Sequence, residues 1–265
     1  MARVHAARAI DQSRRYRVRE LGPDAPMRWL AAGWKDFTRC PGAGLAHGLA
    51  FAVFGLALVV LGHGQFWGLS GALSGLLLVA PILATGLYAI SAALERGERP
   101  GLRTAIAAWA PRDGRLVLFG VLLAAAGTGW VLTSASLITT FADGPVAEPL
   151  DFVRRVMLAE GSLLFEGWLV LGGVLAAPVF ASTVVAVPML MDRPVGVLAA
   201  VLTSWRVVLG QPFTMAVWAA TLALLTLAGL FSAMLGLVVI VPWLGHASWH
   251  AYRELVEPVP VGSGD

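Results

Sequence analysis

The chain has 265 residues, of which 58% are apolar and 13% charged, with a formal net charge of +3 and a mean hydropathy of +0.76. Ordinary globular domains carry roughly 45–50% apolar and about 25% charged residues, so the composition excludes a soluble domain and predicts an all-α polytopic membrane protein. The single cysteine, Cys40, excludes an intrachain disulfide and any cysteine-built metal or iron–sulfur cage.

In chain order, residues 1–25 form a basic cytoplasmic arm, with Arg3, Arg8, Arg14, Arg15, Arg17 and Arg19 set against Asp11, Glu20 and Asp24. No apolar run begins before about residue 43, so no cleavable signal peptide is expected. The arginines come without a nucleic-acid recognition fold or an aromatic platform, and nucleic acid is not an expected partner. Anionic lipid headgroups suit them better, at about 1 kcal/mol per basic residue near the surface.

Uncharged or nearly uncharged stretches then fill 42–94, 116–142, 161–191 and 211–252. A bilayer core takes about 20 apolar residues as helix, so the first and last stretches must each fold back. The first breaks at Gly62-His63-Gly64-Gln65 and the last between Gly229 and Gly236, predicting six transmembrane helices at 44–61, 67–93, 115–139, 161–190, 212–230 and 235–252. Of the 19 Lys and Arg, 17 fall on one face; the other two, Arg154 and Arg155, share a net-negative loop with Asp143, Glu148, Asp151 and Glu160. The positive-inside rule then places both termini in the cytoplasm.

A unit of about 80 residues repeats three times, over 26–99, 100–193 and 194–257, and residues 258–265 read as a flexible tail. Each repeat opens with a Pro (Pro26, Pro100, Pro194) followed by an apolar stripe at helical spacing: Met27, Leu30, Trp34; Leu102, Ala105, Trp109; Leu198, Val201, Trp205. These predict short amphipathic helices in the inner interface, with Trp34, Trp109, Trp205 and, near the end of the last span, Trp249 as anchors. Arg28, Lys35, Arg39 and Arg103 would point at lipid phosphates. Each even-numbered span carries a second signature, Pro81-Ile82-Leu83-Ala84-Thr85, Pro178-Val179-Phe180-Ala181-Ser182 and Pro242-Trp243-Leu244-Gly245-His246. The fold expected is three Pro-kinked helical hairpins, each preceded by an interfacial helix. A proline in a membrane helix leaves the carbonyl four residues earlier unpaired. Thr85, Ser182 and His246 either face one another around a pseudo-threefold axis or bond back to their own helices.

Few side chains can do chemistry. Glu166, the one acid well inside a span, is an intramembrane site candidate beside Thr85, Ser182 and His246. His246, His250 and Glu254 lie at i, i+4 and i+8 on one helix face, a spacing compatible with a divalent metal or haem, and equally with an aromatic, hydrated helix end. No nucleophile elbow, phosphate loop or zinc-protease helix is present in the sequence, so catalysis is not expected.

Three stretches, WLAAGWKDF at 29–37, GLYAISAALERGE at 86–98 and GHASWHAYREL at 245–255, resemble an uncharacterised family of bacterial integral membrane proteins known as a domain of unknown function. The similarity in spacing runs from about 25 to 257 and implies a bacterial inner-membrane protein. It implies no activity; some members are loosely labelled respiratory-oxidase-like, yet the histidines needed for two haems and copper are lacking here. The function expected is a non-enzymatic scaffold or accessory subunit of a membrane complex without a cofactor. The alternatives are a small transporter or channel for an uncharged solute or lipid, and a haem- or metal-binding respiratory accessory protein.

Overall fold

Uncharged runs of Leu, Val and Ala entering lipid leave the backbone no partner but itself, and helix is the outcome. The computed structural model describes residues 2–109 and 114–259. A helix α1 (Ala2–Arg14) and a short strand β1 (Tyr16–Val18) precede α2 (Ala25–Arg39), α3 (Pro41–Leu61), α4 (Phe66–Leu83), α5 (Thr85–Glu95), α6 (Leu102–Ala108) and α7 (Arg115–Phe141). Then come α8 (Pro149–Phe152) with a π-helical turn at Val153–Met157, α9 (Leu164–Thr183), α10 (Ala186–Asp192), α11 (Val197–Gly210), α12 (Pro212–Phe231), α13 (Leu237–Leu255) and β2 (Val256–Pro258).

Among the described residues, five helices are long and apolar enough to cross a membrane: Pro41–Leu61, Phe66–Glu95, Arg115–Phe141, Leu164–Asp192 and Pro212–Phe231. The expected sixth segment exists as α13, but it is not one of the five, because its second half carries His246, His250, Arg253 and Glu254. The turn before it falls where the glycines suggested. α12 ends at Phe231, and the chain reverses through Ala233 and Met234, both left-handed at φ 52° and 65°.

Two of the three motif prolines end a helix one turn later: α4 stops at Leu83 after Pro81, and α9 stops at Thr183 after Pro178. α13 runs unbroken through Pro242. The carbonyl that Pro242 leaves unpaired, that of Val238, lies in the first turn of α13 and is met by Gly48 of α3. A Cβ at Gly48 would overlap that oxygen, so only glycine permits the approach.

The chain divides into two compact units. The first comprises Met1–Ala52, Pro81–Phe119 and Phe180–Asp265. In it α5, α10 and α13 pack pairwise on one another, while α6 packs on α5, α11 on α10 and α2 on α13. α6 and α11 thus each lean on the helix that precedes them, while α2 takes α13 from the other end of the chain. The basic arm is folded rather than loose: α1 packs on α11, and β1 pairs antiparallel with β2, Tyr16 opposite Pro258 and Val18 opposite Val256. Val259 N–H donates to the Arg15 carbonyl at 2.9 Å, so the start of the expected tail is ordered; its residues 260–265 lie outside the described residues.

The second unit comprises Val53–Ala80 and Gly120–Val179. Ile138, Val146, Val156 and Leu164 form its core, flanked by Phe66, Trp67, Phe152, Phe165 and Trp168. Trp168 donates its indole N–H to Ser134 Oγ at 2.7 Å. In the loop after α7, Asp151 accepts the amides of Ala147 and Glu148, both at 3.1 Å, and these bonds hold its carboxyl below the usual range.

Candidate functional site

The helices that open the repeats supply polar groups to the kinked helices. Trp109, just beyond α6, donates its indole N–H to the Leu83 carbonyl at 3.2 Å, where α4 gives way to α5. At the α9–α10 break, Trp205 of α11 donates to Ser182 Oγ at 2.9 Å, and the Val185 amide finds Ser204 Oγ at 3.1 Å. In the third pair the direction reverses: Trp243 of α13 donates to the Leu30 carbonyl of α2 at 2.8 Å, with the Trp34 ring against it. Of the recurring tryptophans, Trp109 and Trp205 are thus hydrogen-bond donors at the helix breaks, while Trp34 makes only ring contacts among the described residues. Trp34 and Trp109 are 44% and 47% exposed and Trp205 is half-buried, whereas Trp249 is buried at 1%. Trp249 is a core residue and no interfacial anchor: it packs against Tyr88 and Tyr252 and donates to Glu95 Oε1 at 2.9 Å.

The stripe Met27, Leu30, Trp34 is the outward side of α2; its buried side is Ala25, Pro26, Trp29, Gly33, Asp36 and Phe37. The buried side meets α13.

Of the four residues expected to form an intramembrane cluster, Thr85 is buried and donates back to the Ile82 carbonyl of the preceding helix at 2.7 Å. Ser182 is taken up by Trp205. Glu166 is exposed in the first turn of α9, because the helix begins at Leu164 and not at 161. His246 alone enters a buried network. Its Nδ1 lies 2.8 Å from Ser91 Oγ of α5, and His250, one turn on, donates from Nε2 to Asp36 Oδ2 of α2 at 2.7 Å.

Asp36 is the anchor of this network. Burial pushes its carboxyl up, but hydrogen bonds from His250 and Ser91 outweigh that and hold it below the usual carboxylate range. A carboxylate only accepts, so the Ser91 proton serves Asp36 and His246 Nδ1–H serves Ser91 Oγ. His246 Nε2 is left buried without a hydrogen-bond partner, as is His47 Nε2 on α3. His47 packs on the Trp109 ring at 5.2 Å, and a Cβ at Gly86 would come within 2.7 Å of its Nε2.

His246, His250 and Glu254 do not assemble as metal ligands. Each is drawn to a different partner, and Glu254 accepts from Trp29 Nε1 at 2.6 Å and pairs with Arg28 at 2.8 Å. Among the described residues, no group of three His, Cys, Asp or Glu side chains is placed to hold a metal ion.

A second cluster closes the ends of α5, α10 and α13. Arg253 Nε lies 3.2 Å from Glu95, and its NH1 lies 3.7 Å from Asp192. Tyr252 OH donates to Asp192 at 2.7 Å, Arg193 pairs with the same carboxylate at 2.8 Å, and the Arg253 guanidinium stacks over Trp249. The reading of the sequence missed this cap, although a signal existed: Glu95 and Asp192 each stand fourteen residues beyond the motif proline of their repeat. Arg253→Gln removes the cation that bridges Glu95 and Asp192. It is expected to lower stability by about 1–2 kcal/mol, read as a fall in the thermal midpoint of the detergent-solubilised protein that shrinks at high salt.

No curated protein and no solved structure matches the chain. Residues 69–192, from the first turns of α4 to the end of α10, match the model of a family described as predicted integral membrane protein (DUF2189), and the protein is an integral membrane protein of unknown activity.

Proposed function

We propose that the protein is a non-enzymatic scaffold or accessory subunit of a bacterial inner-membrane complex, crossing the bilayer six times with both termini in the cytoplasm. The observation that carries this reading is the closed centre of the first unit. Thr85 and His246 are fully buried, each kink is met by a tryptophan or serine from a neighbouring helix, and the inner ends of α5, α10 and α13 are capped by the Glu95–Arg253–Asp192 cluster. A centre so filled suits a structural part better than a path for solute. The β1–β2 pairing supports the even number of crossings: strands hydrogen-bonded to each other lie on one side of the membrane, which five crossings alone would prevent. α13, running beside α3 with Pro242 near Gly44 and Val238 near Gly48, supplies the sixth.

The test is affinity purification of the tagged full-length protein from native membranes in mild detergent. A stoichiometric companion membrane protein is the expected result. Recovery of the protein alone, together with raised permeability of reconstituted vesicles to an uncharged solute such as glycerol, would overturn the scaffold reading in favour of a channel. Reporter fusions at both ends test the crossing number, with cytoplasmic signals expected from each.

A further inference from the structure

Beyond the scaffold reading, and independent of it, one seam of the first unit carries charge that the protein itself leaves unanswered. The end of α2 touches the start of the segment leading into α6, where Cys40 Sγ donates to the Pro100 carbonyl at 3.4 Å. Arg39 and Arg99 are the residues immediately before those two, so they flank a single point. Lys35 stands one turn before Arg39 on α2, and Arg103 lies in the first turn of α6. All four are exposed, and none forms an ion pair among the described residues.

Among the other cations, Arg8, Arg14, Arg15, Arg17 and Arg154 likewise form no ion pair among the described residues, and several more are engaged. Arg19, Arg28, Arg96, Arg155, Arg193 and Arg253 each have a carboxylate partner, and Arg206 on α11 donates to the carbonyls of Ser13 and Tyr16. The acids nearest the seam in sequence are already engaged: Asp36 with His250, Glu95 with Trp249 and Arg253, Glu98 with Arg96. Exposed apolar groups stand beside the four cations on the same two segments, namely Trp34, Leu102, Ile106 and Trp109. The matching face of the third repeat has no such arrangement, because α11 offers only Arg206 and is packed against α1.

We propose that the seam between α2 and α6 holds the headgroup of a diphosphatidylglycerol-type lipid, a cardiolipin. Guanidinium groups recognise phosphate through paired N–H donors, and basic pockets on the cytoplasmic side of helical membrane proteins are suited to such headgroups. Four cations on the two segments that meet at the Cys40–Pro100 contact exceed what a single phosphodiester can balance; two phosphates joined through one glycerol, with acyl chains lying against the indoles and aliphatic side chains, match both the charge and the apolar border.

The experiment is native mass spectrometry of the full-length protein recovered from phosphatidylethanolamine vesicles containing equal amounts of cardiolipin and phosphatidylglycerol. The wild type is expected to retain cardiolipin selectively. R39Q/R103Q is expected to retain about thirtyfold less, the order expected of two basic residues at a charged surface, while R8Q/R14Q in the amino-terminal arm retains as much as wild type. Equal loss from both variants, equal retention by R39Q/R103Q and wild type, or no preference over phosphatidylglycerol would each overturn the proposal. A second measurement guards against misfolding. Cardiolipin added to delipidated wild type should raise its thermal midpoint, and inorganic phosphate should not; the same rise with phosphate would overturn the lipid assignment.

Discussion

Replacing Gly48 by alanine is expected to lower stability by about 3 kcal/mol, the upper end of what an inserted methyl costs in a packed interior. The added Cβ would meet Val238 O, Val238 C and Val238 Cα, all main chain, so no side chain can rotate out of its way. The oxygen concerned is the one that Pro242 deprives of its amide donor. Pushing α3 away would expose it to lipid without the close Cα–H contact that now faces it. Gly33→Ala on α2 should behave similarly, since its Cβ would lie 2.5 Å from the Ala247 nitrogen on α13. Gly42→Ala and Gly75→Ala are the controls: nothing lies within 4 Å of a Cβ at either position. Thermal midpoints in mild detergent, read by retention of the monodisperse peak on size exclusion, check the series. A Gly48→Ala midpoint equal to that of Gly42→Ala would remove the argument.

Asp36→Ala should have a comparable effect, about 3 kcal/mol, because it strands the partly buried His250 and the buried Ser91 and through Ser91 disturbs His246. Asp36→Asn keeps the shape and loses the charge, so it should be milder and should differ in its response to acid. The folded carboxyl titrates lower than the unfolded one, so its stabilisation is complete above the unfolded value and disappears as pH falls through the folded value. The wild type should therefore lose stability more steeply than Asp36→Asn on acidification below the usual carboxylate range, and the two curves should converge at the acid end. Parallel curves down to that end would show that the ionised form of Asp36 carries no weight.

How far the sequence reveals this arrangement depends on whether a feature is local. The prolines, the Gly62–Gln65 break and the Gly229–Gly236 turn act on the backbone beside them, and the helices α3, α7 and α12 fall close to where they were expected. The Trp-ended segments were readable as a repeat because their spacing lies within one helix turn or two. What they rest on was not readable, since lipid and protein interior both select apolar side chains, and periodicity in α2 shows a stripe at Met27, Leu30, Trp34 as plainly as one at Trp29, Gly33, Phe37. Asp36 and His250 stand 214 residues apart, and nothing in either neighbourhood announces the other. Glu166 and Trp249 were misplaced for a related reason: depth in a membrane was judged from residue number, and the start of α9 and the burial of the end of α13 are set by tertiary packing.

The pairing of β1 with β2 has a consequence for biogenesis. Arg19 and its ion-pair partner Glu257 are separated by 238 residues, so the amino-terminal strand emerges long before its mate exists. The amino-terminal strand therefore waits unpaired while the long apolar helices between are made, and the clasp closes only once residues 256–258 follow. A chain cut short anywhere before residue 256 would leave that strand edge open, with its backbone donors and acceptors unanswered.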